Sequence, residues 1–269
     1  MDKQLDWIDK IFIINMKQSK DRLQKCVQQL NKFNIKYERF EAIDGKLLKE
    51  DQYEKISNIC NYLLCNNQMK GCALSHLKLL EKMVKEDIKK ALIFEDDFII
   101  DEDSIKKIDS LKNFDKGVVR LSCLGPFCNY NVDEPIKSFL GVGLGAYLIN
   151  NKDATKLYNK ISKVIYHIDI QINIVSFFSG VDIYNFPCIK SDVKSSTIFN
   201  KSSFIYGLPM SDNLKFYSNH IIIAPFGYNV NAYNIISFIL LIIGIIYWKN
   251  IFGKILIVIG LIGTINIFL

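Results

Sequence analysis

Apolar positions along this chain fall into short continuous runs that alternate with stretches at helical spacing. Ile11-Phe12-Ile13-Ile14-Asn15 reads as a buried strand. Ser19 then stands where an N-cap would, before a helix to about Asn34 with Leu23, Val27 and Leu30 on one face. Tyr37 to Ala42 reads as a second strand, and Asp44-Gly45 as a turn. Leu47 to about Leu64 is helical but irregular. Gly71 opens a clearer helix, in which Leu74, Leu77, Leu80 and Met83 recur at helical spacing. Ala91-Leu92-Ile93-Phe94 is a further buried strand. Ser104 to Phe114 is an amphipathic helix, and Val118 to Leu124 a strand. A glycine-alternating loop, Gly141 to Gly145, leads into Ala146 to Ile149. Helices follow over Asn151–Val164 and Ile165–Phe178, and a strand over Val181–Phe186. The segment from Asp192 to Asn213 is polar, rich in serine, and reads as a surface loop. Strands alternating with helices predict an α/β domain with a largely parallel sheet.

The pattern changes near residue 230. Ile235 to Trp248 is almost wholly apolar, and Ile251 to Leu269 is apolar apart from Lys254. All 28 acidic residues and all but two of the 34 basic ones precede Tyr233. Residues 1–229 are therefore expected to form the globular domain, to which the chemistry below belongs. Residues 230–269 are expected to form a C-terminal membrane anchor of two short helices, turning at Lys249-Asn250, with Tyr247-Trp248-Lys249 at the interface. The alternative is a helical pair packed on the globular domain. No apolar run precedes the first strand, so a secretory signal is not expected and the globular domain is placed in the cytosol. Asn200-Lys201-Ser202 matches a glycosylation acceptor that a cytosolic domain would not use.

Composition narrows the classes further. The charge of +6 comes without an arginine-rich stripe, which argues against nucleic-acid binding. The seven cysteines are odd in number and never spaced as Cys-x-x-Cys, so reduced, buried thiols are expected. Only three histidines exist and none lies near a cysteine pair, so no zinc site is expected.

The chemistry concentrates at Glu95-Asp96-Asp97, three carboxylates at the end of an apolar strand. In open α/β sheets the carboxyl ends of strands face the ligand crevice. Carboxylates clustered there repel one another unless a cation compensates them. Alternation along a strand would point Glu95 and Asp97 together and Asp96 away. The pair could hold Mn²⁺ or Mg²⁺ against a diphosphate. Asp101, Glu102 and Asp103 read as solvating and capping groups for the next helix.

The run Gly71-Cys72-Ala73-Leu74-Ser75-His76, followed by Ala91 to Asp97, resembles glycosyltransferase family 25, which includes lipooligosaccharide and procollagen galactosyltransferases. Other landmarks occur in the same order: Ile13-Ile14-Asn15 with Asp21-Arg22, Phe40 to Gly45, Gly145 to Ile149, Ala154, Leu157, Ile168-Asp169, Pro187 and Ser195 to Ile198. The resemblance covers roughly residues 11–198. It implies a GT-A-type, Rossmann-like fold and an inverting, metal-dependent transfer of a hexose, commonly galactose, from a UDP-sugar. The acceptor would be a hydroxyl of a glycan, a lipid-linked sugar or a protein. On this reading Glu95 and Asp97 hold the metal and Asp169 is the base, with Asp182 in reserve. Asn15, Arg22, Asp44, Ser75, His76 and Asp96 serve substrate binding, Asp96 toward the ribose or as a supporting hydrogen bond. Each has a structural alternative as cap, turn former or ion-pair partner. Where the family usually carries an acid two residues before the glycine, this chain has Met69. The competing function is a catalytically inactive, membrane-tethered module that binds a glycan or nucleotide.

Overall fold

The computed structural model describes residues 5–123, 131–138, 143–192, 221–225 and 230–265. Two compact units result. The first comprises Met1–Ile56 with Lys70–Ser195, and the second Ser57–Met69 with Ser196–Leu269.

The first unit is built on a seven-stranded sheet. Its strands, in chain order, are β1 (Lys10–Asn15), β2 (Glu38–Glu41), β3 (Lys90–Glu95), β5 (Val118–Arg120), β6 (Ile136–Lys137), β7 (Ala146–Asn150) and β8 (Ile183–Asn185). Their spatial order is β2-β1-β3-β7-β5-β8-β6. β1 pairs parallel with both β2 and β3, and β5 pairs parallel with β8. β7 and β6 run against their neighbours. The sheet is thus mixed, with most strands pointing one way. A short antiparallel pair, β4 (Phe98–Ile99) with β9 (Lys190–Ser191), follows the end of β3.

The strands lie where the apolar runs predict them, because a strand covered on both faces must be apolar almost continuously. Ile11 to Asn15 are all buried, as are Ala91 to Phe94 and Ala146 to Asn150. One face packs Ile13, Leu92, Phe94, Val119 and Leu148 against Cys26 and Leu30 of α1 (Lys20–Lys32) and Ile105 and Ile108 of α4 (Glu102–Asp109). The opposite face receives α3 (Asn67–Lys85) and α6 (Ile168–Ser179), whose side chains reach β3, β5 and β7. α2 (Glu50–Tyr53) and α5 (Asn151–Lys160) complete the helices of this unit. Asp101 caps α4 by accepting from Ser104 N at 2.8 Å, as expected of an acid before a helix. Ser19 stands at the N-cap of α1 without a side-chain cap bond.

Two expectations are corrected here. The irregular stretch after Leu47 contains, besides α2, a π-helix (Cys60–Leu64) that brings Cys60 and Cys65 to a Cα separation of 4.8 Å, and they form a disulfide. Cys123 is also disulfide-bonded, whereas Cys26, Cys72 and Cys188 are free thiols. The expectation of reduced thiols throughout therefore fails. The Cys60–Cys65 spacing is longer than Cys-x-x-Cys, and a π-turn closes it.

The C-terminal membrane anchor, and the localisation drawn from it, is also overturned. The apolar tail breaks at Tyr247 to Asn250 into helices Ala232–Ile246 and Ile251–Ile265, each 15 residues long. At ~1.5 Å per residue each spans about 22 Å, short of a hydrocarbon core of about 30 Å. Among the described residues no helix is long and apolar enough to cross a membrane. The two helices pack on each other instead, and glycines set the approach. A Cβ at Gly244 would lie 2.7 Å from Ile257 N, and one at Gly260 would lie 2.6 Å from Leu241 Cβ. The serine-rich stretch 195–198, the Asn200 acceptor site, Gly141 and Val142 lie outside the described residues.

Candidate active site

Glu95, Asp96 and Asp97 emerge at the carboxyl end of β3, beside the end of β1. Ile14 is in register with Glu95, so Asn15 lies next to the acidic cluster. The strand stops at Glu95 and a turn begins at Asp96. Strict alternation therefore ends there, and each carboxylate meets a different environment.

Asp96 faces α1. Its Oδ1 pairs with the Arg22 guanidinium and its Oδ2 accepts from Asn15 Nδ2 at 2.6 Å. Asn15 Nδ2 also reaches Ser19 O at 3.0 Å, and Asn15 Oδ1 accepts from Arg39 Nε at 3.0 Å. Arg22 Nη2 lies 3.6 Å from Asp97 Oδ2. Asn15, Arg22 and Asp96, three of the expected substrate-binding residues, thus brace one another at the strand ends. Burial raises the Asp96 carboxyl despite Arg22 and Asn15.

Glu95 faces α3. His76 Nε2 lies 3.2 Å from Glu95 Oε1, and Cys72 Sγ lies 3.8 Å from the same oxygen. His76 Nδ1 is 3.0 Å from the hydroxyl of Tyr147, a fully buried residue of β7. Burial acts to raise the Glu95 carboxyl, but the His76 hydrogen bond and charge, with Arg22, outweigh it and hold the group below its usual range. Asp97 has Arg22 at 3.6 Å, which does not offset the opposing influences. Burial, and then the charge of Glu95, push it up to about 7. Burial also drives the Cys72 thiol well above its ordinary value, reinforced by the charges of Glu95, Asp169 and Asp97.

Those influences bring together residues distant in the chain. Asp169, in the first turn of α6, is close enough to Cys72 and Arg120 to shift both. Its Oδ2 accepts from Gly143 N at 3.0 Å, where Gly143 has a φ of 109° that suits glycine. Asp182, the reserve candidate, pairs with Lys137 at 2.7 Å.

Two expected substrate-binding residues serve the scaffold. Ser75 Oγ donates to Gly71 O at 2.7 Å and accepts from Ile43 N at 2.8 Å, fastening α3 to the loop after β2. Asp44 Oδ1 accepts from Lys46 N at 2.9 Å, an Asx turn.

Three residues escaped the sequence reading. Cys72 looked like one more buried thiol. Tyr147 stood only within the landmark run Gly145 to Ile149, with no role of its own. Arg120 is a fully buried cation whose Nη2 donates to Asn173 Oδ1 and whose Nε has no hydrogen-bond partner. Burial lowers it to about 10, against the charge of Asp169. A charged residue between Val119 and Leu121 was the signal that could have found it.

Comparison with known proteins finds a family match. The profile described as "Glycosyltransferase family 25 (LPS biosynthesis protein)" matches residues 8–172, a stretch that holds β1 to β3 and Asp169. "Procollagen galactosyltransferase 2" of Homo sapiens is 30% identical over 112 residues, covering 38% of this chain and 18% of that protein. "Lipooligosaccharide biosynthesis protein lic2B" of Haemophilus influenzae is 26% identical over 140 residues, covering 48% of this chain and 51% of that protein. The alignments thus span about half of the Haemophilus protein and under a fifth of the human one. Among solved structures, A197 from STIV overlaps 67% of this chain at 15% identity and a TM-score of 0.38. On the profile match, which covers more than half of its length, the chain belongs to glycosyltransferase family 25.

Proposed function

We propose that this protein is a metal-dependent, inverting glycosyltransferase of GT-A type that moves a hexose from a UDP-sugar to an acceptor hydroxyl. The observation that carries the reading is that the charges of Glu95, Asp97 and Asp169 all act on the buried Cys72 thiol, inside the stretch shared with the family. Galactose is the favoured sugar and a glycan, lipid-linked sugar or protein the acceptor class, since the relatives' names speak of procollagen galactosyl transfer and lipooligosaccharide biosynthesis.

The residues suit the chemistry. Three carboxylates crowded at a strand end repel an anionic donor unless a cation intervenes. Glu95 and Asp97 would hold Mn²⁺ or Mg²⁺, which when bound neutralises charge on the departing diphosphate. Arg22 ties Asp96 and Asp97 in place and keeps positive charge beside the cluster. Asp169 would take the acceptor proton as the hydroxyl oxygen attacks the anomeric carbon. Its Oδ2 is oriented by Gly143 N.

The test is a hydrolysis and transfer screen over UDP-sugars with and without Mn²⁺, on the full chain. Wild type should turn over one donor in a metal-dependent way. Asp97→Ala should abolish the metal dependence, and Asp169→Asn should lower kcat about 10²- to 10⁴-fold with little change in the donor KM. Equal turnover by all three proteins would sink the assignment. Donor binding without turnover by wild type would point to the inactive module.

A further inference from the structure

Cys72 and His76 stand four residues apart on α3 and so share one face of the helix. Glu95 closes the third side from the end of β3. The three candidate ligand atoms, Cys72 Sγ, one His76 ring nitrogen and a Glu95 oxygen, lie within 4.8 Å of one another. The His76 Nε2 to Glu95 separation is 3.2 Å and the Cys72 Sγ to Glu95 separation 3.8 Å. A tetrahedral zinc with Zn–N and Zn–O near 2.0 Å and Zn–S near 2.3 Å sets its ligands apart by about 3.3 Å for N and O and about 3.5 Å for S and O. The two separations from Glu95 meet these values within a few tenths of an ångström.

The surroundings fit as well. A histidine that ligates through one ring nitrogen is normally held by a hydrogen bond at the other. The Tyr147 hydroxyl supplies that bond to Nδ1. The charges acting on Cys72 are negative, from Glu95, Asp169 and Asp97. A thiolate, an imidazole and a carboxylate form a donor set suited to zinc, whereas Mg²⁺ and Mn²⁺ prefer all-oxygen sites.

We propose that Cys72, His76 and Glu95 form a three-ligand site for a thiophilic divalent cation of the zinc class, with its fourth position open. The site shares Glu95 with the hard-cation site proposed above. Zinc bound there withdraws that carboxylate and inhibits transfer.

The experiment loads the full chain with Zn²⁺ or Co²⁺, removes excess by gel filtration, and reads metal per chain by mass spectrometry together with the Co²⁺ absorption spectrum. Wild type should retain about one metal per chain and show the near-ultraviolet thiolate-to-cobalt band. Cys72→Ser should lose the band. Tyr147→Phe should weaken zinc affinity about 10- to 100-fold while keeping it. Cys26→Ser should behave as wild type. Absence of the band from wild type, or its persistence in Cys72→Ser, overturns the proposal. Should Cys72→Ser not fold, His76→Gln read by metal content decides in its place, with retention of a full equivalent counting against the site. No donor or acceptor is present in these measurements, so their failure is separate from a failure of the transferase reading.

Discussion

Asp97 and Glu95 are two residues apart and take opposite protonation behaviour. Glu95 has His76 and stays ionised, while Asp97 absorbs the burial and the repulsion and titrates at about 7. An unfolded aspartate titrates near 3.9. Between those values the folded chain binds the extra proton, so this group favours folding most at low pH. That advantage is lost as pH rises through about 7. In metal-free buffer, Asp97→Asn should therefore flatten the fall in stability between pH 5 and pH 8. At pH 8 it should be more stable than wild type by on the order of 2 kcal/mol. Urea melts at both pH values measure this, and an unchanged pH slope in the variant would argue that Asp97 ionises without strain. At this scale the sequence showed which residues were unusual. It did not show their pairings, because Asp96 and Asp97 leave the strand and their directions are set by a turn and by Arg22 on α1.

Elements were the most legible level, since hydrophobic periodicity is a local property of the chain. The helix carrying Cys72 and His76 was readable from Leu74, Leu77, Leu80 and Met83. What fixes its position was not. A Cβ at Gly71 would lie 2.5 Å from Ile43 O and 2.8 Å from Gly45 N, so only glycine lets α3 approach the loop after β2. Gly71→Ala should cost about 1–3 kcal/mol of stability by overpacking. It should also displace Ser75 from Ile43 N, which thermal unfolding and amide exchange at Ile43 would report. The stretch after Leu47 was the weakest reading, because its short helical pieces carry no full amphipathic repeat. Its disulfide closes a loop of six residues, so the Cys60→Ser, Cys65→Ser double variant should destabilise the second unit by about 2 kcal/mol. Hydrogen exchange of the 57–65 segment would read this, and unchanged protection would show that the bond contributes nothing there.

For the whole molecule, ligand linkage offers a test that does not depend on turnover. On the proposed function, a nucleotide held through a cation would bind only the folded first unit. UDP with Mn²⁺, at about 100 times its dissociation constant, should then stabilise that unit by about 2.7 kcal/mol. Either component alone should do less, and Asp97→Ala should remove the synergy. Additive effects of UDP and Mn²⁺ in wild type would separate the nucleotide from the carboxylates. Tail composition also has to be judged at this scale. Its hydropathy satisfied a spanning segment on average, but length and the break at Tyr247 to Asn250 did not.

By itself the sequence determined the α/β alternation, the acidic strand end and the family, because strand and helix periods and ordered motifs are written within short windows. Only the tertiary structure decided which side chains meet. Glu95 joins Cys72 and His76 across 23 and 19 residues of chain, and Asp96 joins Arg22 across 74. The charge of Asp169 on α6 acts on Arg120 of β5. Those encounters follow from sheet order, from the end of strand alternation at Glu95 and from the close seat that Gly71 gives α3. None of these is a local property, so no spacing rule applied to cysteines, histidines or carboxylates along the chain could have found them.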